Sequence, residues 1–198
     1  MTPHEPAEQA RPARPPNEDG DSIGRLARII GQAARFEGDA HGLGNGEHAA
    51  LARLDPDGTL RPHQIAALTR ALLYAGLDPA EWRPESWREQ WRRWTLIAHG
   101  MALAGHAPGR GLGEQLHQAG VAESRVTKLL TSRGEAFRQL LPRVLRLVAS
   151  KETAPNWYQL GTLILCEGRD EAQAEPIRLS IASDYYRAKR RSAEEQAA

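Results

Sequence analysis

The 198 residues hold one cysteine, Cys166. A lone thiol cannot close an internal disulfide, so the fold rests on its core, and such sparing use agrees with a reducing compartment. No apolar run reaches the roughly 20 residues that a membrane span needs. The opening MTPHEPAEQARPARPP has no signal-peptide apolar region. These absences lead to the expectation of a cytoplasmic protein without membrane contact. Strand-like alternation is also missing. So are the signatures of resident chemistry. There is no H-E-x-x-H and no zinc-finger spacing, and GLGNG (Gly42 to Gly46) lacks the lysine and preceding strand of a phosphate loop. The seven histidines are scattered, and His99 and His106 are separated from each other by helix-breaking glycines. Cys166 reads as a buried structural thiol. The acid pairs Asp55/Asp57 and Asp170/Glu171 read as solvated loop residues. No catalytic residue, metal or cofactor is expected.

Net charge is scarce too, at +1 for the whole chain. That small total hides an uneven distribution. From Ser124 to Lys151 seven basic residues (Arg125, Lys128, Arg133, Arg138, Arg143, Arg146 and Lys151) stand against one acid, Glu135. The segments on either side are neutral or acidic. A block of this kind points to a polyanionic partner. The competing account is a solvated helix face paired with acids elsewhere in the chain.

What the sequence does contain is helix after helix. Residues 1–20 carry five prolines and read as a disordered tail, and the end from Ser192 to Ala198 reads as flexible. Residues 21–191 read as one helical unit. Ser22 is placed to cap a helix to about Ala34. A short helix follows the glycine loop and ends near Leu54. Pro62 opens a helix to about Tyr74. Ser86 to Glu89 (SWRE) fits a capping box for a helix to about Leu103. Further helices cover Leu112–Gln118, Glu123–Ser132 and Glu135–Ala149. Asn156 is placed to cap one that ends at Cys166, and the last runs from Pro176 to about Arg190. Pro142 implies either a kink or a fresh helix start. The fold class is all-α, a compact multi-helix bundle.

Helical spacing puts Phe137, Leu140, Leu141, Val144, Leu147 and Val148 on one face as core, with Arg143 and Arg146 opposite. In the preceding helix Val126, Leu129 and Leu130 point inward, while Arg125 and Lys128 lie one turn apart on the flank. Arg133 occupies the joint. Acids at helical spacing are nearly absent, so local ion pairing does not explain the arrangement. Guanidinium forks suit phosphate oxygens, and such contacts position a strand without reading bases. Sequence-independent, salt-sensitive binding is expected. The arginine- and tryptophan-rich stretch WRPESWREQWRRW reads differently. Trp87, Trp91 and Trp94 recur at helical spacing as one buried stripe, and Arg88 and Arg92 read as solvated.

Four segments resemble the CasB family, the small subunit of the type I-E CRISPR surveillance complex Cascade. They are NGEHAALARL (Asn45 to Leu54), LGEQLHQAGVAESRVTKLL (Leu112 to Leu130), RQLLPRVLRLV (Arg138 to Val148), and NWYQLGTLIL (Asn156 to Leu165) with SDYYR (Ser183 to Arg187). Together they span roughly residues 22–190. The resemblance implies a non-enzymatic subunit, often present in two copies. It implies packing along a filament of backbone subunits that holds the guide RNA, and stabilisation of the target DNA and its displaced strand. Arg53, Arg125 and Arg146 match basic positions of the family's motifs and are implied to contact nucleic acid. Lys128, Arg133 and Arg143 join them on the helical geometry. Two other readings stay open: a stand-alone helical DNA-binding regulator, and a scaffold whose basic face meets an acidic protein.

Overall fold

The computed structural model describes residues 18–35 and 42–197. Among these, nine α-helices and one 3-10 turn form the chain, and there is no strand. In order they are α1 (Glu18–Ala34), α2 (Asn45–Ala52), α3 (Pro62–Tyr74), the 3-10 turn (Pro79–Glu81), α4 (Pro84–Ala104), α5 (Leu112–Gln118), α6 (Glu123–Thr131), α7 (Gly134–Ser150), α8 (Trp157–Cys166) and α9 (Glu171–Ala197). The all-α expectation holds. No described helix is long and apolar enough to cross a membrane. The tail expectation falls mostly on residues 1–17, outside the described residues, and Glu18 to Gly20 open α1.

Helix α4 is the centre of the bundle. Every residue from Arg93 to Ala102 is buried, as expected of a helix covered on all sides. Helices α1, α2, α3, α7 and α8 pack around it. Trp157, at the start of α8, is fully buried, and its indole N–H donates to the Gly105 carbonyl at 2.7 Å. Gly100 of α4 permits this, because a Cβ there would collide with the Trp157 ring. A second layer lies along α9. Helix α5 packs on it so closely that a Cβ on Gly113 would run into the α9 backbone at Ile181 and Tyr185. Tyr185 secures this layer by donating from its hydroxyl to the Val121 carbonyl at 2.8 Å.

Local chemistry explains most boundaries. Pro62 opens α3, and Gly120 (φ +69°) closes α5. The Asn156 side chain accepts from the Tyr158 N–H at 3.0 Å, so the expected cap of α8 is present. Other expectations need correction. Ser22 is not a cap; it is buried inside α1. The SWRE capping box does not form, because α4 starts two residues earlier at Pro84, and the Ser86 hydroxyl donates to the Arg83 carbonyl at 3.3 Å. Helix α9 begins at Glu171, where Asp170 accepts from the Gln173 N–H at 3.0 Å, and it runs through Pro176 and on to Ala197. Helix α7 continues through Pro142 without a new start.

The tryptophan stripe is only partly core. Trp94 is 3% exposed and Trp91 packs partly against the core, but Trp87 is 38% exposed and stacks on Trp91 with ring centroids 5.4 Å apart. The Trp87 N–H donates to the Pro79 carbonyl at 3.1 Å, which ties α4 to the 3-10 turn. Cys166 is buried, as expected, with its thiol 2.9 Å from the Gln173 side-chain oxygen.

Candidate nucleic-acid interface

The apolar face of α7 is buried as its periodicity requires. Phe137, Leu141, Val144 and Val148 are in the core, joined by Leu145, and Leu140 and Leu147 pack partly against it. Val126 and Leu129 do the same for α6. Once these faces are fixed, the opposite sides are fixed as well. Arg125, Lys128, Arg143, Arg146 and Lys151 are exposed, and none has an ion-pair partner among the described residues.

Arg133 and Arg138 differ, and here the expectation of absent acidic partners is corrected. Arg133 lies 3.3 Å from both Glu171 and Glu175 of α9. Arg138 pairs with Glu135 at 3.0 Å and approaches Glu89 of α4 at 3.8 Å. Part of the basic block is therefore balanced by acids brought in from other helices. Two of the acids expected to be merely solvated are also paired to arginines. Asp57 accepts from Arg92 at 2.9 Å. Glu171 also bonds to the buried Arg178, at 2.6 Å. That bond, with the Gly168 N–H and the nearby charges of Arg178 and Arg133, pulls the Glu171 carboxyl down to about 2. Exposed pairs of this sort contribute only about 0–1 kcal/mol, so a phosphate could displace Arg133 from its carboxylates at small cost.

The tertiary fold brings three of the six expected residues together. Arg53 follows the last turn of α2, and Arg143 and Arg146 stand on α7. All three line one concavity of about 500 Å³ between those helices, and His99 and Leu103 of α4 line it too. A neighbouring hollow of about 410 Å³ shares Arg53 and adds Arg61 and His63. The Arg53 carbonyl is held by the Gln64 side chain at 3.0 Å, which fixes the backbone between the two hollows. Asp55 lies in both hollows, and Asp57 lies in the larger one, already bonded to Arg92. Arg125, Lys128 and Arg133 line neither hollow, so the six residues form a cluster of three and a separate α6 edge.

In the sequence His99 is one of several scattered histidines, and the signal that could single it out is its place inside the apolar run LIAHGMALA. The structure buries it to 4% exposure at this concavity. His41 lies outside the described residues. No group of three His, Cys, Asp or Glu residues able to hold a metal occurs among the described residues.

The arrangement can hold a polyanion by its backbone. Two guanidinium groups on α7 and one after α2 converge on a groove, with rigid helices behind them and no aromatic platform lining it for bases. No curated protein and no solved structure matches the chain. The family model of the CRISPR-associated protein Cse2 matches residues 47–186. That span runs from α2 into α9, takes in Arg53 and the whole basic block and exceeds half of the sequence, so the chain belongs to the Cse2 (CasB) family, the small-subunit family of type I-E Cascade.

Proposed function

We propose that this protein is a non-catalytic Cascade subunit that binds nucleic-acid backbone without reading bases, and so stabilises the R-loop of guide RNA, target DNA and displaced strand. Its partners are the guide RNA, the target DNA, the backbone filament of Cascade and a second copy of the chain, in the cytoplasm. The observation that carries this reading is the convergence of Arg53, Arg143 and Arg146 on one concavity, with exposed Arg125 and Lys128 on the separate α6 edge. Exchange of a DNA duplex for an RNA–DNA heteroduplex is nearly balanced in energy, so a few phosphate contacts suffice to tip it. Sequence specificity comes from guide pairing, and a subunit in this role needs no recognition helix.

Affinity purification of the tagged chain from its host, with sequencing of bound RNA and mass measurement, tests the assignment. A large particle with short repeat-derived guide RNAs is the expected result. A free chain or a small homodimer without RNA would overturn it.

A further inference from the structure

The arginine- and tryptophan-rich stretch has one ring that the core does not take. Trp87 is 38% exposed, whereas Trp94 is buried. The Trp87 indole stacks on Trp91 with the ring planes 9° apart, and its N–H donates to the Pro79 carbonyl. These two contacts hold the ring in place and leave its other face and outer edge as the open surface. Trp87 stands in the wall of a hollow of about 520 Å³, across from Ile65 and Thr69 of α3, with Leu60 and Ala80 beside them. That volume lies within the range of clefts that hold small ligands, about 300–1,000 Å³. Ile65 is itself 44% exposed, so the hollow opens to solvent between α3 and α4. No described residue that lines it is charged.

This hollow continues the two basic ones. The concavity that holds Arg143 and Arg146 shares Arg53 and Asp55 with the hollow that holds Arg61 and His63. That hollow in turn shares Thr59 with the aromatic one. The three make one track, basic over its first two stations and aromatic at its third. Its acids are Asp55 and Asp57, and Asp57 is bonded to Arg92. An apolar protein surface would match the third station and leave the arginines unmatched. A nucleic-acid strand matches all three, with phosphates for the guanidinium groups and a base for the indole. In a duplex the bases stack on each other, whereas an unpaired base has a face to offer, whichever base it is.

We infer that the hollow between α3 and α4 is a base-stacking subsite for single-stranded nucleic acid, in which an unpaired base lies on Trp87 while the phosphates of the same strand follow Arg61, Arg53, Arg143 and Arg146. The inference rests on the backbone-binding function proposed above and narrows it: this part of the surface takes an unpaired strand. Stacking does not tell one base from another, so sequence specificity stays with guide pairing.

The test compares a thymidine single strand, an abasic strand of equal length and charge, and a duplex, by fluorescence anisotropy with the full chain at low salt. The wild type is expected to bind the thymidine strand roughly tenfold tighter than the abasic one, the effect of stacking one base. Trp87→Ala should remove that advantage. It should leave the abasic and duplex affinities and the salt slope unchanged, because no phosphate contact is lost. Trp87→Phe keeps a ring and should keep part of the advantage. Both variants lose the bond to Pro79, so thermal melting checks that the fold persists. Ile65→Gln withdraws apolar wall from the opposite helix, leaves that bond intact and should reduce the advantage by itself. Equal binding of the thymidine and abasic strands by the wild type would overturn the subsite and leave the backbone-binding function standing. Absence of binding to every strand would overturn both. An advantage that survives in Trp87→Ala would also overturn the subsite, and release of a neighbouring subunit from the assembled complex by the same variant would then mark the hollow as a protein contact.

Discussion

The backbone N–H of Gly134 donates to the carboxylate of Glu167 at 2.6 Å, and so the first residue of α7 is held by the residue that ends α8. Glu167 is buried, and Gly134 adopts φ +53°, which brings the chain from α6 into α7 at this point. A carboxylate at a helix N-terminus also meets the positive end of the helix dipole. This bond fixes where α7 starts and therefore how its arginines face the groove.

Replacement of Glu167 by alanine should cost about 1–3 kcal/mol, because it removes the charged acceptor of a part-buried N–H. Urea unfolding with an unchanged slope and a lowered midpoint is the expected readout. A midpoint equal to that of the wild type would show that the bond contributes nothing.

The α5–α9 packing gives a second prediction. Gly113→Ala forces a methyl group into the α9 backbone at Ile181 and Tyr185, which cannot yield as a flexible side chain would. A destabilisation of about 1–3 kcal/mol is expected. Gly109→Ala is the control, since a Cβ there meets nothing within 4 Å. Paired thermal melts should separate the two variants clearly.

Acid stability should depend on Glu171. Its carboxyl titrates at about 2 instead of 4.5, first because Arg178 donates to it, then because of the Gly168 N–H and the charges of Arg178 and Arg133. A depressed carboxyl stabilises the fold above its unfolded value, and the contribution is lost as pH falls through the folded one. The wild type should therefore be more stable than Glu171→Gln above about pH 4.5, and the gap should close towards pH 2. Arg178 is only 4% exposed, and protonation of Glu171 weakens its pairing. Melting midpoints of the two proteins across this window give the comparison.

Much of the fold is legible in the sequence because its signals are local. Pro62, Gly120 and Asn156 each fix a helix end through their own backbone or side chain. The start of α9 is not, because Pro176 is outweighed by interactions that a proline rule does not see. Asp170 caps the helix, and Glu171 and Glu175 both reach Arg178 across its first turns. The exposed arginines of α7 follow from the period of its apolar residues. The partners of Arg133 do not, because Glu171 and Glu175 lie far along the chain and only tertiary packing brings them near. For the same reason the sequence points to Arg53, Arg143 and Arg146 separately, without the groove that unites them or the histidine beside it.

The central claim is that this groove binds nucleic-acid backbone, and the most direct measurement is target-DNA affinity of the assembled complex across a range of salt. Wild type is compared with Arg53→Glu, Arg143→Glu and Arg146→Glu, singly and combined. Each reversal should weaken binding at low salt. Removing one phosphate-neutralising charge should flatten the plot of log K against log salt by about 0.7–0.9, with the effects adding up in the triple variant. Arg133→Glu, starting from a residue already paired to two carboxylates, should flatten the slope less. A triple variant with wild-type affinity and slope would contradict the account.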